Sequence, residues 1–508
     1  MHTSNITPVM ATAMTFKSYL FNNYRNKIIL GIAAIVIIIQ FGIFKYFYPY
    51  ASYIFGDSFV YLKTAYDNLD INFYLVGYSR FLRLFSVFSG SDVLLTGFQY
   101  ILIQASALYL LFTLFYFYSV SKVTQVILLC FAVFNPLFLY LANLISSDGL
   151  FLALSLAWFG LLIHMLHQPC VRIVSWHALL LFAAFTVRYN AFIYPAIAAA
   201  AFILSKQSVP RKLFGWAAGC ILCAFFVFYT AGKYQALTGT WQYSPFGGWL
   251  IANNAMYSYR YVPSSQRKQV PAQFQQLDKS IRAYFDSTRD TKRYPVETTI
   301  ASTFYMWDRG LPLYAFMNNM YKKDTASTDL QRWASMGPFY KEYGAFIIKE
   351  YPLYYVRHFL WPNAIRYYAP PVEYLSPYNL GGDAVDSIAQ RWFGYKSLRL
   401  KARIKSSNEV LLDIYPILAG IVNLVFVFSL VFFLLLNGKK NEGYFYQAVL
   451  LVGALWLLNS GFTIFTSPVA LRFQIFPIIL TTIFTVLLMD WVVGKAIQVE
   501  AQEKMYST

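Results

Sequence analysis

Two carboxylates and two guanidinium groups in this chain stand at the edges of apolar runs. Asp57 lies in GDSFVYLKTAYDNLD (residues 56–70), after the first long run, and Asp148 lies in ISSDGLF (145–151), between two others. Arg188 ends the stretch RIVSWHALLLFAAFTVR (172–188), and Arg472 opens the last run in SPVALRFQIFP (467–477). A carboxylate can remove a proton from a hydroxyl, and a guanidinium holds a phosphate through paired, charge-assisted hydrogen bonds. Together they suit transfer of a group from a phosphate-activated donor.

Each residue also has a plainer reading. Asp57 and Asp148 both precede or open helical patterns, where an acidic side chain caps free backbone N–H groups and complements the helix dipole. Arg188 and Arg472 sit at the ends of apolar segments, from which arginine can snorkel to lipid headgroups.

The elements that must position these side chains follow from composition. Of 508 residues, 58% are hydrophobic, 20% aromatic and only 13% charged, too apolar for a soluble chain of this length. Apolar runs at 28–44, 93–118, 123–145, 149–166, 173–187, 189–204, 213–231, 411–436, 446–465 and 473–493 each approach the length of a membrane-crossing helix. The expected fold is a polytopic α-helical membrane protein of roughly ten spans. The first run shows no cleavage site and is read as a retained span.

Basic residues in short connections resist translocation. Lys17, Arg25 and Lys27, then Lys122, Arg172, Lys206, Arg211, Lys212, Lys439 and Lys440, fall on one side of that ten-span scheme, which puts both termini in the cytoplasm. The connections carrying Asp57, Asp148, Arg188 and Arg472 then share the opposite face with the long segment 232–410. The basic stretch KSLRLKARIK (396–405) also lies on that outer side, where a long segment is exempt from the charge rule. A hidden span in FIIKEYPLYYVRHFLWP (346–362) would invert the last third, but its internal charges argue against one.

Three parts are expected: a transmembrane module over 1–231, an extracytoplasmic mixed or mainly helical domain over 232–410, and C-terminal spans over 411–508. Residues 233–409 carry 23 basic against 13 acidic side chains, much of the net charge of +18. On the outer side of a membrane this points to anionic headgroups or a phosphate-bearing substrate and away from nucleic acid. A solvated surface over anionic lipid is the bland alternative. Cys130, Cys220 and Cys223 fall in spans and Cys170 in a turn, so no disulfide framework is implied. His164, His167 and His177 read as interfacial anchors.

On GDSFVYL, GYSRFLRLFSVF (77–88), NPLFLYLANLISSDGLFLALSL (135–156), FTVRYNAFIYP (185–195) and ALRFQIFP, the chain resembles the GT-C superfamily of integral membrane glycosyltransferases. That superfamily includes protein O-mannosyltransferases and lipid A aminoarabinose transferases. The resemblance covers the amino-terminal half and, loosely, the last span. It departs at Ser58, where many relatives carry a second acid, at Asp148, where many carry Glu, and at Ser79, where a proline is usual. The resemblance implies a polyprenyl-phosphate-linked sugar donor, an extracytoplasmic acceptor (glycan, lipid or protein) and inversion at the anomeric carbon. It further implies Asp57 as general base. Arg188 and then Arg472 are the expected contacts to the lipid phosphate, and the ending KMYST, which is no eukaryotic retention signal, points to a bacterial inner membrane as the setting. Asp148 would support acceptor binding, orient Arg188, or share a divalent cation, Mg or Mn, with Asp57. Two other classes stay open: a transporter or flippase of a lipid-linked glycan, and a noncatalytic protein of envelope assembly.

Overall fold

The computed structural model describes residues 14–288, 293, 301–375, 378–404, 411–441 and 443–506. Helix dominates these residues, and no β-strand occurs among them beyond two isolated bridges, Ser52 to Leu144 and Ala384 to Arg399. Eight helices among the described residues are long and apolar enough to cross a membrane, and two shorter apolar ones, Val171–Val187 and Tyr189–Leu204, lie between them. The outward faces of the bundle expose Ile38, Phe228 and Leu435, apolar side chains that only a bilayer would cover. The protein is a polytopic helical membrane protein.

The apolar helices of the bundle are α1 (Tyr24–Phe47), α4 (Asp92–Phe117), the broken pair α5 (Lys122–Val133) and α6 (Pro136–Asn143), and α7 (Ser147–His167). They continue with α8 (Val171–Val187), α9 (Tyr194–Leu204), α10 (Val209–Thr238), α13 (Tyr415–Leu435), α14 (Gly443–Thr466) and α15 (Leu471–Tyr506). The run expected as one span over 123–145 breaks at Asn135, whose side chain accepts from the Leu137 N–H while Pro136 starts the next helix. The run expected over 189–204 opens as a 3-10 turn, Tyr189–Ile193, before α9 begins ahead of Pro195.

Between α1 and α4 lie two short helices, α2 (Asp57–Tyr66) and α3 (Gly77–Ser86). An apolar stripe of Phe59, Leu62, Tyr66 and Leu69 is expected on the first, but α2 ends at Tyr66 and, of that stripe, buries only Leu62, together with Ser58, Tyr61, Thr64 and Ala65. Its inward face is chosen by packing against α3 and the bundle, which hydrophobic spacing alone does not register. Gly77 opens α3 so close to the end of α8 that a Cβ there would sit 2.6 Å from the Thr186 carbonyl oxygen. This contact fixes α3 beside Arg188.

The two ends of the bundle differ in chemistry. At one end the Tyr118 hydroxyl meets His167, whose ring stacks on Tyr444, and Lys206 lies 4.7 Å from the centre of that Tyr444 ring. At the other end Asp57, Asp148, Arg188 and Arg472 come together under the long segment between α10 and α13. Of the basic stretch, the described residues 396–404 belong to this second end: the Arg403 N–H donates to the Phe47 carbonyl at 2.9 Å and its guanidinium covers the Tyr46 ring.

The long segment has a core of its own, running from Trp249 to Phe359, built on α11 (Pro245–Tyr259) packed along α12 (Asp329–Glu350). Phe346 to Pro362 does not span: Ile347 and Phe359 are buried in this core. Val372, Leu375, Val385, Ile388, Ala389 and Leu400 pack instead with the spans. The α11–α12 crossing is so tight that a Cβ on Gly248 would lie 1.9 Å from the Gly337 carbonyl oxygen. Gly248→Ala is therefore expected to destabilise the segment by about 3 kcal/mol. Gly247→Ala, with open space at its Cβ, is expected to be neutral or stabilising by roughly 1 kcal/mol. Thermal unfolding of the two variants in one detergent checks the contrast.

Candidate functional site

A cavity of about 1120 Å³ opens at the second end of the bundle, between the spans and the long segment. Its inner end is built from four connections that are distant in sequence. Gly56, at φ +93°, adopts a backbone conformation that an L side chain resists, and it turns the chain so that Asp57 begins α2 facing the cavity. The Asp57 carboxylate does not cap its helix. One oxygen accepts from the Tyr74 hydroxyl at 2.6 Å and the other from Arg472 Nη2 at 2.9 Å.

Asp148 does not cap either. That task falls to Ser146, whose Oγ accepts from the Asp148 N–H and donates to its carboxylate at 2.7 Å. Asp148 also forms an ion pair with Arg188 and lies 3.5 Å from Arg472 Nη1. Only 1% of its side chain is exposed, and it stands behind Ser146 and Ser147, which line the cavity in its place. Direct contact between Asp148 and a substrate is therefore closed off. Its geometry suits holding the two arginines.

Arg188 leaves α8 in extended backbone and donates to Ser147 Oγ at 3.2 Å as well as to Asp148. Arg472 is the deeper of the two arginines, with 8% of its side chain exposed against 13% for Arg188, which rules out snorkelling. The Phe473 ring lies 4.9 Å from the Arg188 guanidinium and 4.5 Å from that of Arg472, and Tyr374 covers Arg472 at 4.8 Å. The rings space two like charges in a low-dielectric site and hold them by cation–π attraction. Both carboxylates reach Arg472, so the cluster is one connected network of two anions and two cations.

A divalent cation shared by Asp57 and Asp148 does not fit this arrangement. The Arg472 guanidinium occupies the place between the two carboxylates, and its charge would repel a metal ion. Among the described residues no group of three or more His, Cys, Asp or Glu side chains is placed to bind a metal.

Three cavity residues carry no local signal in the sequence. Tyr74 is identified only by its hydroxyl on Asp57; burial and the neighbouring carboxylate push its phenol well above the ordinary range, so it remains a donor. Glu373 and Tyr374 arrive on a loop tied to the last span by the Leu471 N–H, which donates to the Pro371 carbonyl at 2.8 Å. Tyr374 has φ +63°, an outlier for so bulky a residue, and the strain is held where its ring meets Arg472. Burial raises the Glu373 carboxyl, with the charges of Arg366 and Arg472 opposing.

In comparisons with family models, with curated proteins and with solved structures, the chain matches none. What the site does must be read from its own geometry.

The raised Glu373 carboxyl has a consequence for stability. Between the ordinary glutamate range and its higher folded value, the folded protein holds a proton that the unfolded chain has released, so stability falls as pH rises through that window. Thermal unfolding of wild type across mildly acidic to neutral pH is expected to show this loss, and Glu373→Gln to flatten it. Parallel curves for the two proteins would contradict the assignment.

Proposed function

We propose that the protein is an integral membrane glycosyltransferase of GT-C type, moving a sugar from a polyprenyl-phosphate-linked donor to an acceptor hydroxyl on the non-cytoplasmic side. The observation that carries this reading is the joining of Asp57, Arg472, Asp148 and Arg188 at the inner end of one large cavity beside the spans. A transporter would bring its charged groups to mid-membrane depth between repeats. Here they cluster at one end of the bundle.

The cavity lining suits a lipid-linked donor. Phe55 and Phe192 line it while remaining largely exposed, so an isoprenoid chain in the bilayer can reach it across apolar surface. Arg188 lies in the cavity wall and offers a guanidinium to the phosphate. A phosphate that also draws Arg472 would release the Asp57 oxygen now held at 2.9 Å, so donor binding frees the base.

Asp57 then takes the proton of the acceptor hydroxyl as its oxygen attacks the anomeric carbon. The bond from that carbon to the phosphate oxygen breaks on the opposite face, with inversion, and the electron pair leaves on the lipid phosphate. The departing phosphate needs little protonation, so the arginines' main contribution is to stabilise its charge. Tyr74 keeps the carboxylate oriented through its 2.6 Å hydrogen bond. In this reading the site faces the outside of a bacterial inner membrane and both termini are cytoplasmic.

The reading is tested with full-length protein in nanodiscs, using radiolabelled polyprenyl-phosphate sugars as donors, membrane glycans as acceptors and undecaprenyl phosphate as a binding probe. Asp57→Asn is expected to lower transfer by about 10²–10⁴-fold while leaving lipid-phosphate binding intact. Arg188→Ala is expected to weaken that binding. Transfer that survives Asp57→Asn would remove the proposed base.

A further inference from the structure

The outer end of the cavity differs from its inner end. Three rings, Tyr74, Phe246 and Trp307, meet there at centroid distances of 5.9 to 6.1 Å and interplanar angles of 52° to 55°. All three line the cavity. Trp307 is held in place from behind: it lies parallel to Trp333 at 5.8 Å, and Trp333 lies parallel to Trp249 at 5.5 Å. Trp249 and Trp333 are fully buried. A rigid aromatic trough therefore runs from Asp57, through the Tyr74 hydrogen bond, to a mouth lined by Asp308, Arg309, Asn318 and Asp329, all exposed.

We infer that this trough is the acceptor subsite and that the acceptor is a neutral saccharide. Pyranose rings present apolar C–H faces that lie on aromatic rings, and paired hydroxyls that carboxylate and amide groups bind. The mouth carries two carboxylates against one guanidinium, although the segment around it has 23 basic and 13 acidic residues. A second phosphate-bearing ligand would be repelled where the chain is locally acidic. A peptide that docks by strand addition needs a free strand edge, and no strand occurs among the described residues. A sugar seated against Tyr74 brings its hydroxyls to the carboxylate that the Tyr74 hydroxyl touches. The use of that hydroxyl as nucleophile rests on the transferase reading; saccharide binding does not.

The test is saturation-transfer NMR on the full chain in nanodiscs without donor. Mannotetraose, maltotetraose and cellotetraose are the saccharide probes, with a Ser/Thr-rich peptide as the rival. At least one tetrasaccharide is expected to bind with strongest saturation on its C–H faces. Trp307→Ala is expected to raise Kd roughly tenfold, the scale of losing one large aromatic contact. Trp307→Phe, which keeps a ring and guards against misfolding, is expected to retain most of the affinity. Binding by the peptide alone, by no saccharide, or equally by Trp307→Ala and wild type overturns the inference. Undecaprenyl phosphate binding by wild type, read on the same sample, separates the two claims. If it persists without saccharide binding, the transferase reading stands and the subsite falls; if it is absent while saccharides bind, the reverse holds.

Discussion

The constraint on which the structure depends is the burial of Arg472 between two carboxylates. A guanidinium removed from water at the end of an apolar bundle loses several kcal/mol of solvation, recovered only if anions with good geometry surround it. Asp57 and Asp148 supply them, and Arg188 balances the remaining charge. Breaking the set on either side strands a buried charge. Replacing all four residues with apolar ones would leave a bundle at least as stable, because buried ion pairs rarely contribute net stability. A cluster so costly to build, placed where a cavity reaches it, fits a chemical task better than a structural one.

That demand organises the fold around it. Asp57 and Arg472 are 415 residues apart, so the pair forms only when the first connection and the last span occupy the same end of the bundle. Gly56 turns the chain into α2, the close approach of Gly77 to Thr186 sets α3 beside the end of α8, and the Pro371–Leu471 hydrogen bond lays Tyr374 over the last span's first turn. The long segment then closes the cavity from above with its tryptophan stack. The inner end is charged and balanced, the middle aromatic and the mouth polar. One cavity is thereby graded from charged to polar, as the proposed lipid-phosphate donor and saccharide acceptor require.

How much of this was legible in the sequence depends on whether the signal is local. The spans could be read because bilayer thickness imposes a length on every apolar run, and the four charged residues could be assigned to one end by counting those runs. The break at Asn135–Pro136 was legible in principle, since an Asx cap before proline marks a helix start, yet the continuous hydropathy of 123–145 hid it. Partnerships were not legible. Nothing near Asp148 says that Ser146 would cap the helix and leave its carboxylate for two arginines. Glu373, Tyr374 and Trp307 lie in a segment so rich in aromatics that no single ring stands out, and only tertiary contacts select them. The GT-C resemblance directs attention to Asp57 and Arg188, whereas the geometry gives Arg472 the larger part, because it alone touches both carboxylates.

The most direct test is a cryo-EM structure of the full-length protein in nanodiscs with undecaprenyl phosphate. The account predicts phosphate density within hydrogen-bonding distance of Arg188, with Arg472 turned toward it and the Asp57 carboxylate released into the cavity. Phosphate bound elsewhere, with the Arg472–Asp57 and Arg188–Asp148 pairs unchanged, would contradict it.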